Sequence, residues 1–131
     1  MFSIRNIGGV ALLLFGTTFL WLTPSFATKG LSTKSGWWSV TNVLALVTVG
    51  VFTAATWGIF KRTEWWELVA ISGAILGAIA LVPYWIAANN VGDPGRGMNL
   101  FVHVLGDAGV LVLLNVPSLQ RWVEGHVMAG R

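Results

Sequence analysis

Long apolar runs and short polar breaks alternate along this chain. Apolar sequence fills 7–26, 37–60, 65–88 and 98–116, and about 20 such residues suffice for a helix to cross a bilayer. The breaks are a polar stretch with Lys29 and Lys34, the tetrad Lys61-Arg62-Thr63-Glu64, and the Asn/Gly/Pro-rich run from Asn89 to Gly97. This pattern predicts an all-α fold, an integral membrane bundle of four antiparallel transmembrane helices in a single membrane domain, 1–131. In the tail, 117–131, Leu119, Trp122, Val123 and Val127 share a helical face away from Gln120, Arg121 and Glu124. That spacing fits a short interfacial helix capped by Ser118, and equally a frayed tail.

The run ends carry their own signals. The first run reads as a transmembrane helix flanked by Arg5, or as a secretory signal with the small residues Ser25 and Ala27 before a cleavage point. Its single basic residue and long apolar core favour retention. Trp37-Trp38, Trp57 and Trp65-Trp66 fall where interfacial aromatic belts are expected. The tetrad is so short that the second and third spans must be antiparallel neighbours. Thr63 is a candidate N-cap for the third span, and Glu64 and Glu67 sit where the helix dipole favours negative charge. Pro83 removes one backbone hydrogen bond late in that span. Asp93-Pro94-Gly95 has the chemistry of a turn.

Small residues mark where helices can approach closely. Gly50, Ala54 and Gly58 recur every four residues in the second span, and Gly73 and Gly77 form a GxxxG pair in the third. Both are expected to pack against other helices.

Composition supports a lipid solvent. The chain is 55% hydrophobic and 10% charged, with a mean hydropathy of +0.73; a soluble domain carries about 25% charged residues. The net charge is only +3, and the eight Lys and Arg are scattered. No basic stripe for nucleic acid exists, so the expected partner is the lipid bilayer. With no cysteine, disulfides, thiolate metal sites and Cys nucleophiles are excluded. Arg5, Lys61, Arg62, Arg121 and Arg131 fall on one side of the spans, and Lys29, Lys34 and Arg96 on the other. The positive-inside rule then places the protein in a cell membrane with both termini cytoplasmic.

Arg5-Asn-Ile-Gly-Gly-Val-Ala-Leu-Leu-Leu-Phe-Gly16, Trp66-Glu-Leu-Val-Ala-Ile-Ser-Gly73 and the four-span layout resemble the DoxX-like group of small bacterial membrane proteins. The resemblance implies a four-helix membrane bundle. That group is functionally heterogeneous, so no catalytic residue carries over.

Candidate chemistry centres on the last span. His103 and Asp107 lie four residues apart, on one helix face, and a carboxylate beside an imidazole can fix its tautomer and raise its basicity. Asn99 extends the face by one turn, while Asn42 and Tyr84 lie at comparable depth on the second and third spans. These five residues form a candidate ligand site; helix-to-helix hydrogen bonding and pairing of Asp107 with Lys34 or Arg96 are the structural alternatives. Glu67 is expected to pair with Lys61 or Arg62. One well-placed His without Cys or a carboxylate cluster makes a poor metal or haem site, so no cofactor is expected. No GxSxG, HExxH or P-loop pattern occurs, which points away from an enzyme. The sequence therefore favours a non-enzymatic accessory or scaffold subunit, with a membrane-protein partner or homo-oligomer. The alternative is a binder or transporter of a small apolar or weakly acidic ligand at the polar cluster. An intramembrane enzyme using His103 and Asp107 on a lipid or quinone-like substrate comes third.

Overall fold

A computed structural model describes residues 3–23 and 36–128. Helix α1 spans Ile4–Thr17 and continues as a 3-10 segment, Thr18–Leu22. It is followed by α2 (Gly36–Phe60), α3 (Trp66–Val91), α4 (Arg96–Asn115) and α5 (Pro117–Met128). Four of these stretches are long and apolar enough to cross a membrane: Ile4–Leu22, α2, α3 and α4. The first begins three residues before the expected 7–26. Its Ser3 side chain accepts from the Asn6 N–H at 3.1 Å, an N-cap that sets the start. The expected residues 24–26, the polar stretch with Lys29 and Lys34, and Arg131 lie outside the described residues.

Glycine–aromatic contacts give the order of the bundle. Gly9 and Gly16 of α1 lie against Phe60 and Phe52 of α2, so one helix rises as the other descends. Phe52 also fills the space at Gly73 of α3, and Asp107 of α4 faces Gly77 of α3. The ring closes where Phe15 of α1 packs on Gly106 of α4. Each helix is thus antiparallel to its two neighbours. Phe15, Phe19 and Phe52 interlock at the centre, with ring centroids 5.4–5.9 Å apart.

At the polar breaks the helices end on their own carbonyls. At the end of α2, the Arg62 N–H donates to Ile59 O and the Thr63 N–H to Gly58 O, with Arg62 left-handed at φ 54°. Thr63 is therefore not the N-cap of α3. Its hydroxyl donates back to Gly58 O at 3.3 Å, and the residue preceding α3 is Trp65, which makes no side-chain cap. The same closure ends α3, where Gly92 is left-handed at φ 65° and the Asp93 N–H donates to Ala88 O. Asp93 Oδ1 then accepts from the Gly95 N–H, and Arg96 Nη1 donates to the Asp93 carbonyl. The expected nine-residue loop thus shrinks to 92–95, since α3 runs on through Pro83 to Val91 and α4 already begins at Arg96. The tail is helical from Pro117, one residue before the expected cap Ser118.

The α2 stripe turns out to be split. Gly58 is buried beneath the turn, where a Cβ would meet Thr63 and Trp66, whereas Gly50 and Ala54 are exposed, with nothing within 4 Å of a Cβ at Gly50. The packing face of α2 is instead Thr41, Ala45, Thr48, Phe52, Ala55 and Ile59. Two of its hydroxyls donate to carbonyls one turn back, Thr41 to Trp37 O and Thr48 to Leu44 O, each at 2.7 Å. In lipid a threonine can therefore face a packed interface as readily as a glycine.

Candidate functional site

The inward stripe of α4 is Asn99, His103, Asp107 and Leu114, set by the three- and four-residue spacing of one helix face. Asp107 lies eleven residues into the 20-residue helix. At 1.5 Å per residue that is about 16 Å from its start, near the middle of a ~30 Å hydrocarbon layer.

Each polar residue on this stripe has a different environment. Asn99 Nδ2 donates to the Tyr84 hydroxyl of α3 at 3.0 Å. Tyr84 is fully buried, edge-on to the equally enclosed Trp38 at 6.2 Å between centroids. His103 is fully buried as well. Its Nδ1 is 2.6 Å from the Asn99 carbonyl, and its Nε2 is 3.0 Å from the Thr18 carbonyl and 3.1 Å from Thr18 Oγ1. Phe19, Trp21 and Phe15 surround the ring at 4.6, 6.1 and 6.2 Å between centroids. Asp107 is 3% exposed, and neither carboxylate oxygen has a hydrogen-bond partner among the described residues.

The structure therefore brings Asn99, Tyr84 and His103 into one network but does not join His103 to Asp107. The expected carboxylate–imidazole bond is absent because both ring nitrogens are taken up by backbone carbonyls, one on α4 and one on the 3-10 segment. Arg96 does not reach Asp107 either; its guanidinium is turned back to Asp93, and Lys34 lies outside the described residues. Asn42 stays half-buried on α2 and makes no hydrogen bond to this network among the described residues. Gly73 and Gly77 border the site from α3, and their missing side chains make room for Phe52, Phe19 and the Asp107 carboxylate.

Thr18 and Phe19 are the site residues that sequence reasoning passed over. A threonine pair inside an apolar run looks like ordinary membrane sequence, and the contact with His103 is made in part by the Thr18 backbone carbonyl, at the start of the 3-10 segment. At the opposite end of the bundle, Glu67 accepts from Gln120 Nε2 at 2.7 Å, and Gln120 also donates to Glu124 at 2.6 Å. This bond draws α5 onto α3, a partner other than the expected Lys61 or Arg62. Beside it, Leu12, Ile59, Ala70, Val110, Leu114 and Val127 help to line an apolar cavity of about 200 Å³ bordered by all five helices. Among the described residues, no three His, Cys, Asp or Glu side chains come together.

No family model, curated protein or solved structure matches the chain. Its four apolar spans, closed on each other and edged by exposed tryptophans at both ends, are those of a small multi-pass membrane protein.

Proposed function

We propose that this protein binds, and in doing so carries or presents, a small apolar or weakly acidic molecule inside its helical bundle, with Asp107 accepting the molecule's hydrogen-bond donor. The observation that carries this reading is the Asp107 carboxylate, buried at mid-membrane with both oxygens unpartnered among the described residues. A central aspartate costs roughly 2.5–3.5 kcal/mol on insertion scales, and nothing in the surrounding packing offsets it. The nearby threonines, by contrast, have found backbone acceptors. The unpartnered carboxyl oxygens can accept, so a ligand O–H or N–H is complementary to them. The Phe19 ring beside it favours an apolar body. The test is native mass spectrometry of protein released from detergent micelles. A small molecule retained by the unaltered protein and lost from folded Asp107→Leu supports the reading. Identical spectra, together with no thermal shift of either protein in a phenol such as 4-propylphenol, would refute it.

A second reading, an accessory subunit in a larger membrane complex or a homo-oligomer, is favoured by Gly50 and Ala54. They leave a shallow strip on the lipid-facing side of α2 where another helix can approach. Disulfide trapping at Gly50→Cys in native membranes tests it; a chain that stays monomeric and uncrosslinked counts against it.

A further inference from the structure

The first span and α4 touch where the Phe15 ring seats on Gly106. Beyond that contact, towards the end of the bundle that carries α5, they border the cavity of about 200 Å³. Leu12 and Val110 line it one turn on, and Gly8 and Leu114 line it a further turn on. Ile59 of α2 and Ala70 of α3 form its buried floor, and Val123 and Val127 of α5 border it at the end. Gly8 and Ala70 supply little or no side chain to fill the space, and a Cβ at Gly8 would meet nothing within 4 Å.

The walls restrict what enters. No lining side chain carries a charge, a hydroxyl or an amide, and an apolar cavity of this kind does not hold water. Ile4, Gly8 and Leu113 on its rim are exposed, and they belong to the first and fourth spans, so the way in is sideways from the bilayer. The volume exceeds the roughly 150 Å³ of an apolar cavity that takes up benzene. It falls below the ~300 Å³ at which pockets for whole drug-sized ligands begin. A segment of hydrocarbon chain fits, and a complete lipid does not.

The α5 end has the chemistry that receives a headgroup. Trp122 on the rim is exposed, and so is its neighbour Arg121. Tryptophan marks the depth of the headgroups, and a guanidinium pairs with phosphate through two parallel hydrogen bonds. Arg5 adjoins the rim residue Ile4 in α1. The carboxylates of Glu67 and Glu124 at this end accept from Gln120. Hydrocarbon below and a phosphate above are the two parts of a phospholipid.

The geometry points to a lipid site: the cleft between the first span and α4 seats one acyl chain of a bilayer phospholipid, with the phosphate at the level of Arg121 and Trp122. Asp107 does not line this cleft, so the site stands apart from the reading of that residue.

Native mass spectrometry of the protein in detergent, titrated with dioleoylphosphatidylglycerol, counts the lipids bound. The expected spectrum keeps one lipid per chain after collisional activation has stripped the others. Gly8→Phe fills the cleft from an open position and should lose that lipid. Gly50→Phe, equally open but outside the cleft, should keep it, and so should Asp107→Leu. A spectrum with no such lipid, or equal retention by Gly8→Phe, overturns the site. Retention of oleate in place of the phospholipid would do the same, since the phosphate would then have no part. A second measurement needs no variant. In nanodiscs of the same lipid, nuclear Overhauser effects from lipid chain protons should reach the methyl groups of Ile59 and Leu114, both buried on the cleft, as well as those of exposed Val43 and Leu68. Effects confined to Val43 and Leu68 overturn it. Asp107→Leu is expected to keep the lipid, so failure of this site and failure of the Asp107 site are seen separately.

Discussion

Gly77 of α3 and Asp107 of α4 meet with no space for one further carbon: a Cβ on Gly77 would lie 3.1 Å from Asp107 Oδ2 and 2.6 Å from the Phe19 ring. The glycine therefore sets how close the two helices come, and by doing so holds the carboxylate away from lipid.

Gly77→Ala should destabilise the bundle, since overpacking of this kind typically costs about 1–3 kcal/mol. Gly50→Ala, into open space, should be neutral or stabilising by at most about 1 kcal/mol, the helix preference of alanine over glycine. Unfolding of both variants in mixed micelles checks the contrast. Equal effects would show that close approach at Gly77 is not what limits the packing.

Asp107→Leu should make the protein more stable. Leucine branches at the same position as aspartate and removes a buried, unpartnered acceptor, whose cost is of the order of 1–3 kcal/mol. The same titration of unfolding reads it out. A marked loss of stability would mean that the carboxylate holds the fold together and is not reserved for a ligand.

Tyr84→Phe removes the acceptor of Asn99 Nδ2 while keeping the ring against Trp38. Hydrogen bonds between membrane helices average about 0.6 kcal/mol, so the double-mutant cycle with Asn99→Leu should give a coupling near that value. Additivity of the two changes would show that the bond contributes nothing.

Both termini should lie in the cytoplasm, because Arg5, Lys61, Arg62, Arg121 and Arg131 outnumber Lys29, Lys34 and Arg96. A fluorescent reporter fused after Arg131 should mature in the cytoplasm. A fused phosphatase active only outside it would reverse the orientation.

The spans are legible in the sequence because hydropathy reports the solvent directly, and their edges differ by only a few residues, as where α3 runs on to its backbone cap at Gly92. Which face of a span points inward was less legible. In α2 the apolar residues run all round the helix, and lipid does not sort them as water would. The glycine stripe at Gly50 therefore suggested a face that the structure turns outward, while Thr41 and Thr48 lie inside. His103 and Asp107 were picked out as inward-facing by the energetic cost of exposing them to lipid. Their partners were not, because a backbone carbonyl such as that of Thr18 carries no side-chain signature.

The contact between His103 and Thr18 joins residues 85 positions apart. At about 5–20 residues per second, roughly 4–17 s separate the synthesis of one from the other. Throughout that interval the first span has no α4 to lean on, and Gly106, the seat of the Phe15 ring, does not yet exist. The first span must therefore wait, held only by α2 and then α3, before the last span arrives to close the ring. Assembly of this protein is in that sense ordered by its own translation: the elements that enclose Asp107 include the first span and the last, and the site comes into being only when the chain is nearly finished.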